Sequence, residues 1–447
     1  MKKISRKISI RKTFNTISII FLTTCILVYG FRFLTLYIKN NKKMTYEANT
    51  LGKKLRTENK DILEKIDGTY YFKGKIENNY VSYSGLLWRV IKIEEDNSVV
   101  LISENSVTLL ASGEGLVYDT SNITEWMNKT DKENSGKLEN SLNNYSEYVI
   151  KGSVCNDKID TVSNPKCNDV NEKYYFNTLT MSDYVNTGAS EGFINNGSTF
   201  YLSDYTTEGY NWYINNEGKT SKNKGTDIYG IRPVIKLKSN APLVSGNGTK
   251  DDPYVFDSTK NTFGAYVKLD GDNWRVIGVD GNNIKLVYDG YVIYEGTPLS
   301  HKFSTKDANF EANVTGTLAY YLNNGFYNNL SYKNLIIKTE YARGYYGSSS
   351  NYDYVSTTKD TVEANVALMS VGDIILNHDL TDYFLMNSSA AKNTFVYVVR
   401  NTDTLFTKAF SSPAKVVPVI TIDRSKLIGT GTKTDPYRLG ANNEKEA

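Results

Sequence analysis

The residues best suited to chemistry are scarce, because the 447-residue sequence contains only two histidines and three cysteines. Cys155 and Cys167 are close in sequence, with Pro165 just before the second. Outside the cytosol, two cysteines at such spacing most simply form a disulfide. A bridge closing a loop of this size contributes about 3 kcal/mol in the chain-entropy account. We predict that disulfide; free thiols and a metal or catalytic role are the alternatives.

The two histidines, His301 and His378, both lie in the second half of the chain, and neither belongs to a His-Glu-x-x-His motif. The acidic run Asp270-Gly271-Asp272-Asn273 lacks the ligand spacing of a 12-residue calcium loop, and we interpret it as a turn. We therefore predict no catalytic residue, no metal and no cofactor. The protein is expected not to be an enzyme, with an enzyme of unfamiliar site as an alternative.

Ligand binding is the chemistry for which the sequence offers candidates. A guanidinium beside a closing strand, as at Arg232, can hold a carboxylate or a backbone carbonyl, and an internal ion pair is the alternative. Rigid aromatic residues among Gly, Ser and Asn resemble the composition of antibody binding loops. Enrichment of Tyr throughout the chain (35 residues) is the competing explanation. The candidate ligand-binding residues are Arg232, Tyr205, Tyr210, Trp212, Tyr345, Tyr346, Tyr352 and Tyr354.

Positive charge is concentrated at the N-terminus. The first 43 residues carry +10 and no acidic residue, which leaves −7 on the rest of the chain, so no nucleic-acid partner is expected. Residues 13–38 form an apolar stretch with Arg32 as its one charged residue. It is long enough to cross a bilayer as a helix, and the basic residues before it place residues 1–12 in the cytoplasm. We predict a retained transmembrane helix at 13–38 contacting the lipid bilayer; a cleaved signal peptide, or a lipoprotein at Cys25, is the alternative.

The segment that follows, 39–67, is rich in Lys and Glu. Leu51, Leu55, Ile62 and Leu63 recur at loosely helical spacing, and Gly68 is a helix stop signal. We predict a charged helical stalk that holds the next domain away from the bilayer. A dimerising coiled coil would need more heptads than this segment contains.

Most of the remaining chain is a duplication. Trp88-Arg89-Val90-Ile91 is repeated at Trp274, and the Pro-Val-Ile run at Pro233 is repeated at Pro418. The two signatures are 145 residues apart in the first copy and 144 in the second. Glycine-threonine turns ending in Asp-Pro-Tyr follow each Pro-Val-Ile run. We predict two tandem modules, at 68–258 and 259–440, followed by a tail at 441–447.

Each module is predicted to be α+β. Apolar, β-branched runs joined by turns such as Asp280-Gly281-Asn282-Asn283 predict a hairpin at its start. Short amphipathic helices follow, and strands close the module. Proline in the last strand favours a strand start or a sheet edge, because proline cannot donate to the ladder.

These motifs in this order resemble a bacterial domain family of unknown function that is common in exported proteins of Gram-positive bacteria. The resemblance rests on the Trp-Arg-Val-Ile hairpin, Leu179-Thr180-Met181-Ser182-Asp183, Tyr201-Leu202-Ser203 and the Gly-Ile-Arg-Pro-Val-Ile strand. It implies a C-type-lectin-like, sulfatase-modifying-factor-like fold. Two departures are notable: the family's Trp-Leu-Arg-Ser is here Tyr201-Leu202-Ser203, and Val417 replaces the arginine in the second copy.

The sequence therefore predicts a single-pass protein of the cell membrane with its C-terminal bulk outside the cell. Its expected function is binding or adhesion through the two modules, with a glycan, a cell-wall component or a protein as ligand. The alternative is a structural subunit of a cell-envelope complex.

Overall fold

The computed structural model describes residues 50–440 except 115–116, 133–134, 143, 164, 258–261, 348–359, 390–393 and 402–403. Of the first 49 residues it describes only Tyr29, Gly30, Arg32 and Thr35. Within the described residues, none of the helices has both the length and the apolar character that crossing a bilayer requires. The prediction of a transmembrane helix at 13–38 is corrected accordingly, and most of that segment, like the tails 1–12 and 441–447, lies outside the described residues.

The first half of the described chain, residues 50–257, is called module 1. Its helices are short, and the first has 8 residues. In chain order its elements are α1 (Leu51–Glu58), β1 (Leu63–Ile66), β2 (Thr69–Phe72), β3 (Tyr80–Tyr83), β4 (Leu86–Ile93), β5 (Val99–Ser103), β6 (Thr108–Leu110), a 3₁₀ turn (Tyr118–Thr120), α2 (Asn122–Met127), α3 (Lys137–Ser141), α4 (Tyr145–Tyr148), β7 (Val149–Ile150), β8 (Gly152–Cys155), β9 (Val170–Tyr174), β10 (Phe176–Thr178), α5 (Met181–Asn186), a 3₁₀ turn (Ala189–Glu191), β11 (Phe200–Tyr205), β12 (Asn211–Ile214), β13 (Thr220–Asn223), β14 (Tyr229–Ile231), β15 (Pro233–Leu237) and β16 (Tyr254–Val255).

The second half, residues 262–440, is called module 2. Its one longer helical segment consists of two short α-helices joined by a π-helical turn. In chain order its elements are β17 (Tyr266–Leu269), β18 (Asp272–Asp280), β19 (Asn283–Tyr288), β20 (Ile293–Tyr294), β21 (Thr297–Pro298), β22 (Ser300–Lys302), α6 (Leu318–Tyr320), the π turn (Tyr321–Phe326), α7 (Tyr327–Asn329), a 3₁₀ turn (Lys333–Leu335), β23 (Thr339–Ala342), β24 (Thr361–Ala364), β25 (Ala367–Leu368), β26 (Tyr383–Ser388), β27 (Phe395–Asn401), β28 (Thr404–Ala409), β29 (Pro413–Lys415), β30 (Pro418–Asp423), a 3₁₀ turn (Arg424–Lys426), β31 (Leu427–Ile428) and β32 (Arg438–Leu439).

Each module contains two principal sheets with the same internal order. In module 1, one sheet runs β1-β2-β4-β5-β15-β10 and the other β13-β12-β11-β14-β6. In module 2, one runs β17-β18-β19-β30-β25 and the other β22-β29-β26-β27-β28. Thus β4, β5, β15 and β10 correspond to β18, β19, β30 and β25, while β3 pairs with β4 as β17 does with β18.

The strand register of the two modules is equivalent residue by residue. Trp88 is opposite Val81 and Trp274 is opposite Val267, and both indoles are fully buried. Each tryptophan strand carries a bulge at the same place, between Val90 and Lys92 in β4 and between Val276 and Gly278 in β18. Each closing proline starts its strand, as Pro233 and Pro418 both do.

The α+β prediction is wrong, since the described chain is mostly β, with 38% strand and 16% helix. The helices are short, and α2, α3 and α4 are each followed directly by extended backbone. Asn128, directly after α2, is the example: its amide exchanges hydrogen bonds with the backbone of Phe176 at 2.8 and 3.1 Å. Asn323 makes the same contacts with Val366 at 2.8 and 3.1 Å in module 2.

The predicted helical stalk at 39–67 is also wrong for its described part. Leu51 and Leu55 of α1 are fully buried in module 1, and the Leu51 N–H donates to the Ala241 carbonyl. A Cβ on Gly52 would lie 2.0 Å from the Asn97 carbonyl oxygen, so α1 approaches the β4–β5 turn as only glycine permits. Leu51 and Leu55 are therefore on the side of α1 that packs on the module, whereas Ile62 lies beyond α1 and is 45% exposed.

Candidate functional site

A cleft with a volume of about 760 Å³ lies between the two modules. Module 1 contributes α3 and the residues just before it, and module 2 contributes the β18–β19 hairpin, β23 and the loop that follows β25. Its walls are formed by Ser135, Lys137, Asn140, Ser141, Gly278–Gly281, Asn283, Lys285, Thr339–Ala342, Ser370, Val371, Asp373 and Thr421.

One row of residues across three strands forms the floor of this cleft. Gly278 of β18 is opposite Lys285 of β19, which is opposite Thr421 of β30. Alternate residues of a strand face opposite sides of a sheet, so these three share one face. The hydroxyl groups of Tyr341 and Thr421 are 3.2 Å apart, which places the Tyr341 side chain next to this row.

A buried carboxylate joins the modules beside this floor. Asp373 Oδ2 accepts from Lys285 Nζ at 2.6 Å and from the Ser370 backbone N–H at 2.8 Å. Its Oδ1 accepts from Lys137 Nζ of module 1 at 3.2 Å. The Asp373 side chain is 4% exposed, so the ion pairs are largely shielded from solvent.

The charge state of this carboxylate follows from two opposing effects. Burial alone raises the pKa of Asp373, and the ammonium groups of Lys285 and Lys137 lower it by more, so that its pKa lies well below the ordinary value. Burial lowers the pKa of Lys285, and the Asp373 carboxylate offsets part of that effect. At neutral pH, Asp373 is therefore ionised and held between two cations.

The loop that carries Asp373 is fixed against module 1 by further hydrogen bonds. Thr108 Oγ1 donates to the Asp373 backbone carbonyl at 3.0 Å, and Trp126 Nε1 donates to the Gly372 carbonyl at 2.8 Å. Both donors are buried. The side of the cleft formed by this loop is therefore preorganised.

Module 1 contains the same carboxylate at the equivalent position. Thr178 is opposite Pro233 and Leu368 is opposite Pro418, and Asp183 and Asp373 each follow five residues later. Asp183 Oδ1 accepts from Lys92 Nζ at 2.9 Å and from the Tyr71 hydroxyl at 2.9 Å.

The lysine that donates to this aspartate lies on different strands in the two modules. In module 1 it is Lys92 of β4, opposite Val100 of β5. In module 2 the β4 position is Gly278, and the lysine is its cross-strand partner Lys285. Each ammonium lies 5.6 Å from the centre of a tyrosine ring, Tyr71 in one copy and Tyr341 in the other.

The two modules differ in what covers the end of the tryptophan strand beside the shared aspartate. In module 1 the hairpin β1–β2 pairs with the end of β4 and brings Tyr71 onto Asp183. In module 2 β17 is the first strand, and no such hairpin occurs among the described residues. The corresponding end of β18 borders the cleft instead.

Arg232, predicted as a ligand contact or ion-pair partner, is fully buried within module 1. Its Nε donates to the Ser103 carbonyl at 3.0 Å, its Nη1 donates to the Ile194 carbonyl at 2.6 Å, and its guanidinium lies 4.8 Å from the Phe200 ring centre. The side chain thus connects three segments of the chain and does not line the cleft.

The candidates Tyr205 and Trp212 lie in the second sheet of module 1, and Tyr210 lies in the loop just before β12. The sulfurs of Cys155 and Cys167 are bonded to each other in the structure, and the loop that they close rests on this sheet. Trp212 Nε1 donates to the Ile159 carbonyl at 2.6 Å, and the Tyr205 carbonyl accepts from the Ile159 N–H at 2.9 Å. Tyr210 borders a separate, smaller depression of about 420 Å³ together with Glu114, Glu208, Gly209 and Lys224.

The predicted ligand-binding tyrosines of module 2 differ in their exposure. Tyr345 is 38% exposed, whereas Tyr346 is fully buried and its hydroxyl accepts from the Ala111 N–H of module 1 at 2.8 Å. Tyr352 and Tyr354 lie outside the described residues. The structure therefore does not bring the predicted ligand-binding residues together at one site.

Sequence reasoning missed Asp373, Lys285 and Lys137. The signal that points to Asp373 is the duplication itself. The shared Met-Ser pair suggests aligning Met181 with Met369, whereas the strand register aligns Met181 with Val371. That shift of two residues hides the shared aspartate. Lys137 carries no sequence signal, because its role depends on the packing of one module on the other.

One further segment matches the Gly-x-Ser-x-Gly pattern of a nucleophile elbow, namely Gly188-Ala189-Ser190-Glu191-Gly192. That elbow requires a strand, a sharp turn and a helix. Here the segment follows α5 and forms the 3₁₀ turn Ala189–Glu191, so the required context is missing.

Comparison of the chain with models of known protein families, with curated proteins and with solved structures gives no match. The similarity to an exported bacterial family with a C-type-lectin-like fold therefore stays a prediction.

Proposed function

We propose that this protein is a binding protein without catalytic activity, and that its ligand occupies the cleft between the modules. The observation that carries the proposal is the difference between the two copies. The place that the hairpin β1–β2 covers in module 1 opens in module 2 into a cleft of about 760 Å³. Ligand sites in proteins are typically concave and of roughly 300–1,000 Å³.

The chemistry of the cleft supports binding rather than turnover. A general acid or base works best with a pKa near the working pH, and the pKa of Asp373 is held well below its ordinary value by two lysines. Asn140, Ser141 and Thr421 add amide and hydroxyl groups to the walls. These groups suit a ligand rich in hydrogen-bonding atoms, such as a glycan, a cell-wall component or a protein segment.

The disulfide supports a place of action in an oxidising compartment, because such bonds persist outside the reducing cytosol. We accordingly propose that binding occurs outside the cell.

A glycine at the β18 end of the floor makes the proposal testable. Gly278 has no left-handed backbone, and a Cβ there would have Lys285 Cβ as its nearest neighbour at 3.4 Å, so Gly278→Gln can fill the cleft without backbone strain. Gly290 is a matched control, because a Cβ there would lie 3.6 Å from the Tyr288 ring and outside the cleft.

Wild-type protein and both variants are screened against glycans, peptidoglycan fragments and a peptide library. We expect at least one class of ligand to bind the wild type and Gly290→Gln equally, and Gly278→Gln to bind it at least about tenfold more weakly. If no class binds, or if every bound ligand is indifferent to Gly278→Gln, the proposal is refuted.

A further inference from the structure

The last residues of β18 form a strand edge in the cleft with which no described strand pairs, although α3 of module 1 lies beside β18. β17 pairs with β18 as far as Arg275, and backbone bonds from Gly264 and Ala265 extend to Val276. Beyond that point, no strand in the described part of the chain pairs with Gly278–Asp280 on the edge away from β19. Val279 is half-buried and Asp280 is exposed.

The equivalent edge in module 1 carries a strand. Tyr70 and Tyr71 of β2 are opposite Ile93 and Lys92 of β4. Since the two bulges coincide, Ile93 corresponds to Val279 and Lys92 to Gly278. An uncovered edge is a template for pairing, and most proteins cover or blunt it. Module 1 covers its edge with its own hairpin.

The backbone of Val279 faces the open edge. Glu94 N–H donates to the Ser98 carbonyl across the β4–β5 turn, so its neighbour Ile93 directs its N–H and C=O to the opposite edge, toward Tyr70. Val279 occupies the same position before the β18–β19 turn. Its N–H and C=O therefore lie where an added strand would bond to them.

We propose that an extended peptide segment of another polypeptide adds to this edge as a further strand, in the place that β2 takes in module 1. This inference rests on the proposed function, since it names the ligand class of the same cleft. Main-chain hydrogen bonds to an exposed sheet edge provide affinity, and pockets for alternate side chains provide specificity.

Module 1, in which β2 pairs with this edge, indicates which side chain the peptide carries. Tyr71 places its hydroxyl 2.9 Å from Asp183 and its ring 5.6 Å from the Lys92 ammonium. The cleft is lined by the equivalent carboxylate, Asp373, which accepts from Lys285 and Lys137, and Gly278 has no side chain where module 1 has Lys92. A tyrosine opposite Gly278 would take the position that Tyr71 takes opposite Lys92 in module 1.

The sequence of β2 supplies the probe. A labelled synthetic peptide spanning residues 67–74, Asp-Gly-Thr-Tyr-Tyr-Phe-Lys-Gly, is titrated with the full chain and followed by fluorescence anisotropy. Saturable binding is expected. Replacing the tyrosine at position 71 of the peptide with phenylalanine is expected to weaken binding severalfold, because the hydroxyl no longer reaches the carboxylate.

Backbone methylation tests strand addition directly. In β2, Tyr70 pairs with β4 through its backbone, whereas the backbone of Tyr71 is directed toward β1. A peptide N-methylated at position 70 is expected to bind at least about tenfold more weakly, and one methylated at position 71 is expected to bind as the parent does. This comparison leaves the protein unchanged, so it does not depend on the folding of a variant.

The protein side is tested with Val279→Pro and Val279→Ala. Proline removes the edge-facing N–H and is tolerated on edge strands, whereas alanine keeps the N–H. Loss of peptide binding in Val279→Pro with retention in Val279→Ala is expected, together with slowed amide exchange at Val279 in the wild-type complex.

The outcomes separate the two proposals. If a glycan binds the wild type and Gly278→Gln weakens that binding, but no peptide binds, the peptide inference is overturned and the proposed function stands. Equal loss for both methylated peptides, or binding unaffected by Val279→Pro, also overturns the inference. Self-association through the hairpin of a second copy, detected by sedimentation, would overturn it in favour of this chain as its own partner.

Discussion

Substitution of Asp204 by Asn should make the protein more stable at alkaline pH. Asp204 of β11 is 2% exposed, and its Oδ2 accepts from the Met181 backbone N–H at 2.6 Å. Burial raises its pKa from the ordinary 3.8 to about 7, and the nearby Asp183 adds to the rise. Module 2 has Asn387 at the equivalent position, where its Oδ1 accepts from the Val371 N–H at 2.7 Å.

The magnitude and sign follow from proton linkage. Below pH 3.8 the carboxyl is protonated in both the folded and unfolded states. Between 3.8 and about 7 only the unfolded state ionises it, so the free energy of unfolding falls as pH rises and the loss is complete above pH 7. At about 1.4 kcal/mol per pH unit, the upper bound of the loss is roughly 4 kcal/mol, and structural relaxation reduces it. Asparagine keeps the acceptor oxygen without the charge.

The assay is urea unfolding of the wild type and Asp204→Asn at pH 5, 6.5 and 8. The difference in free energy of unfolding, variant minus wild type, should rise by about 2 kcal/mol or more from pH 5 to pH 8. Taking the difference removes titrating groups that both proteins share. A difference that is constant over this range would refute the reasoning, because it would mean that Asp204 titrates normally in the fold.

Two further predictions concern the inter-module carboxylate and the disulfide. Asp373→Asn should destabilise the protein by about 2–4 kcal/mol at pH 7, because Lys285 and Lys137 lose their buried counter-charge. This loss of stability should shrink as pH falls below about 4, because the carboxyl group of the unfolded wild type is then protonated. Superimposable unfolding curves of variant and wild type at pH 7 would contradict the prediction. Reduction of the Cys155–Cys167 bond, or Cys155→Ser, should lower stability by about 3 kcal/mol and expose the loop to protease, and an unchanged denaturation midpoint would show that the bridge constrains little.

The short signatures of the buried strands could be recognised without a structure. Strand residues that face a core are restricted in size and polarity, so Trp-Arg-Val-Ile and Pro-Val-Ile recur at nearly constant spacing. Surface segments carry no such restriction. The loop containing Met181 and the loop containing Val371 have diverged enough that a chance Met-Ser match misaligns them.

The segment around α1 shows where local pattern reasoning fails. Its apolar spacing correctly indicates that one face of a helix is buried, but the spacing does not say what buries it. The sequence interpretation supplies a free stalk, whereas Leu51 and Leu55 pack into module 1 and Gly52 lies against Asn97. The partner of an amphipathic face is a property of the tertiary structure.

What the sequence alone determines is the set of local elements: two similar strand sets, their hairpin turns and the pair of neighbouring cysteines. Only the tertiary structure decides that Lys137 reaches Asp373 across 236 residues and Lys285 across 88. Neither pairing has a local signature, because ion pairs between distant segments depend on how whole sheets and modules pack. The open edge of β18 is likewise defined by the lack of a pairing strand among the described residues, and a sequence does not show which strand edges remain unpaired.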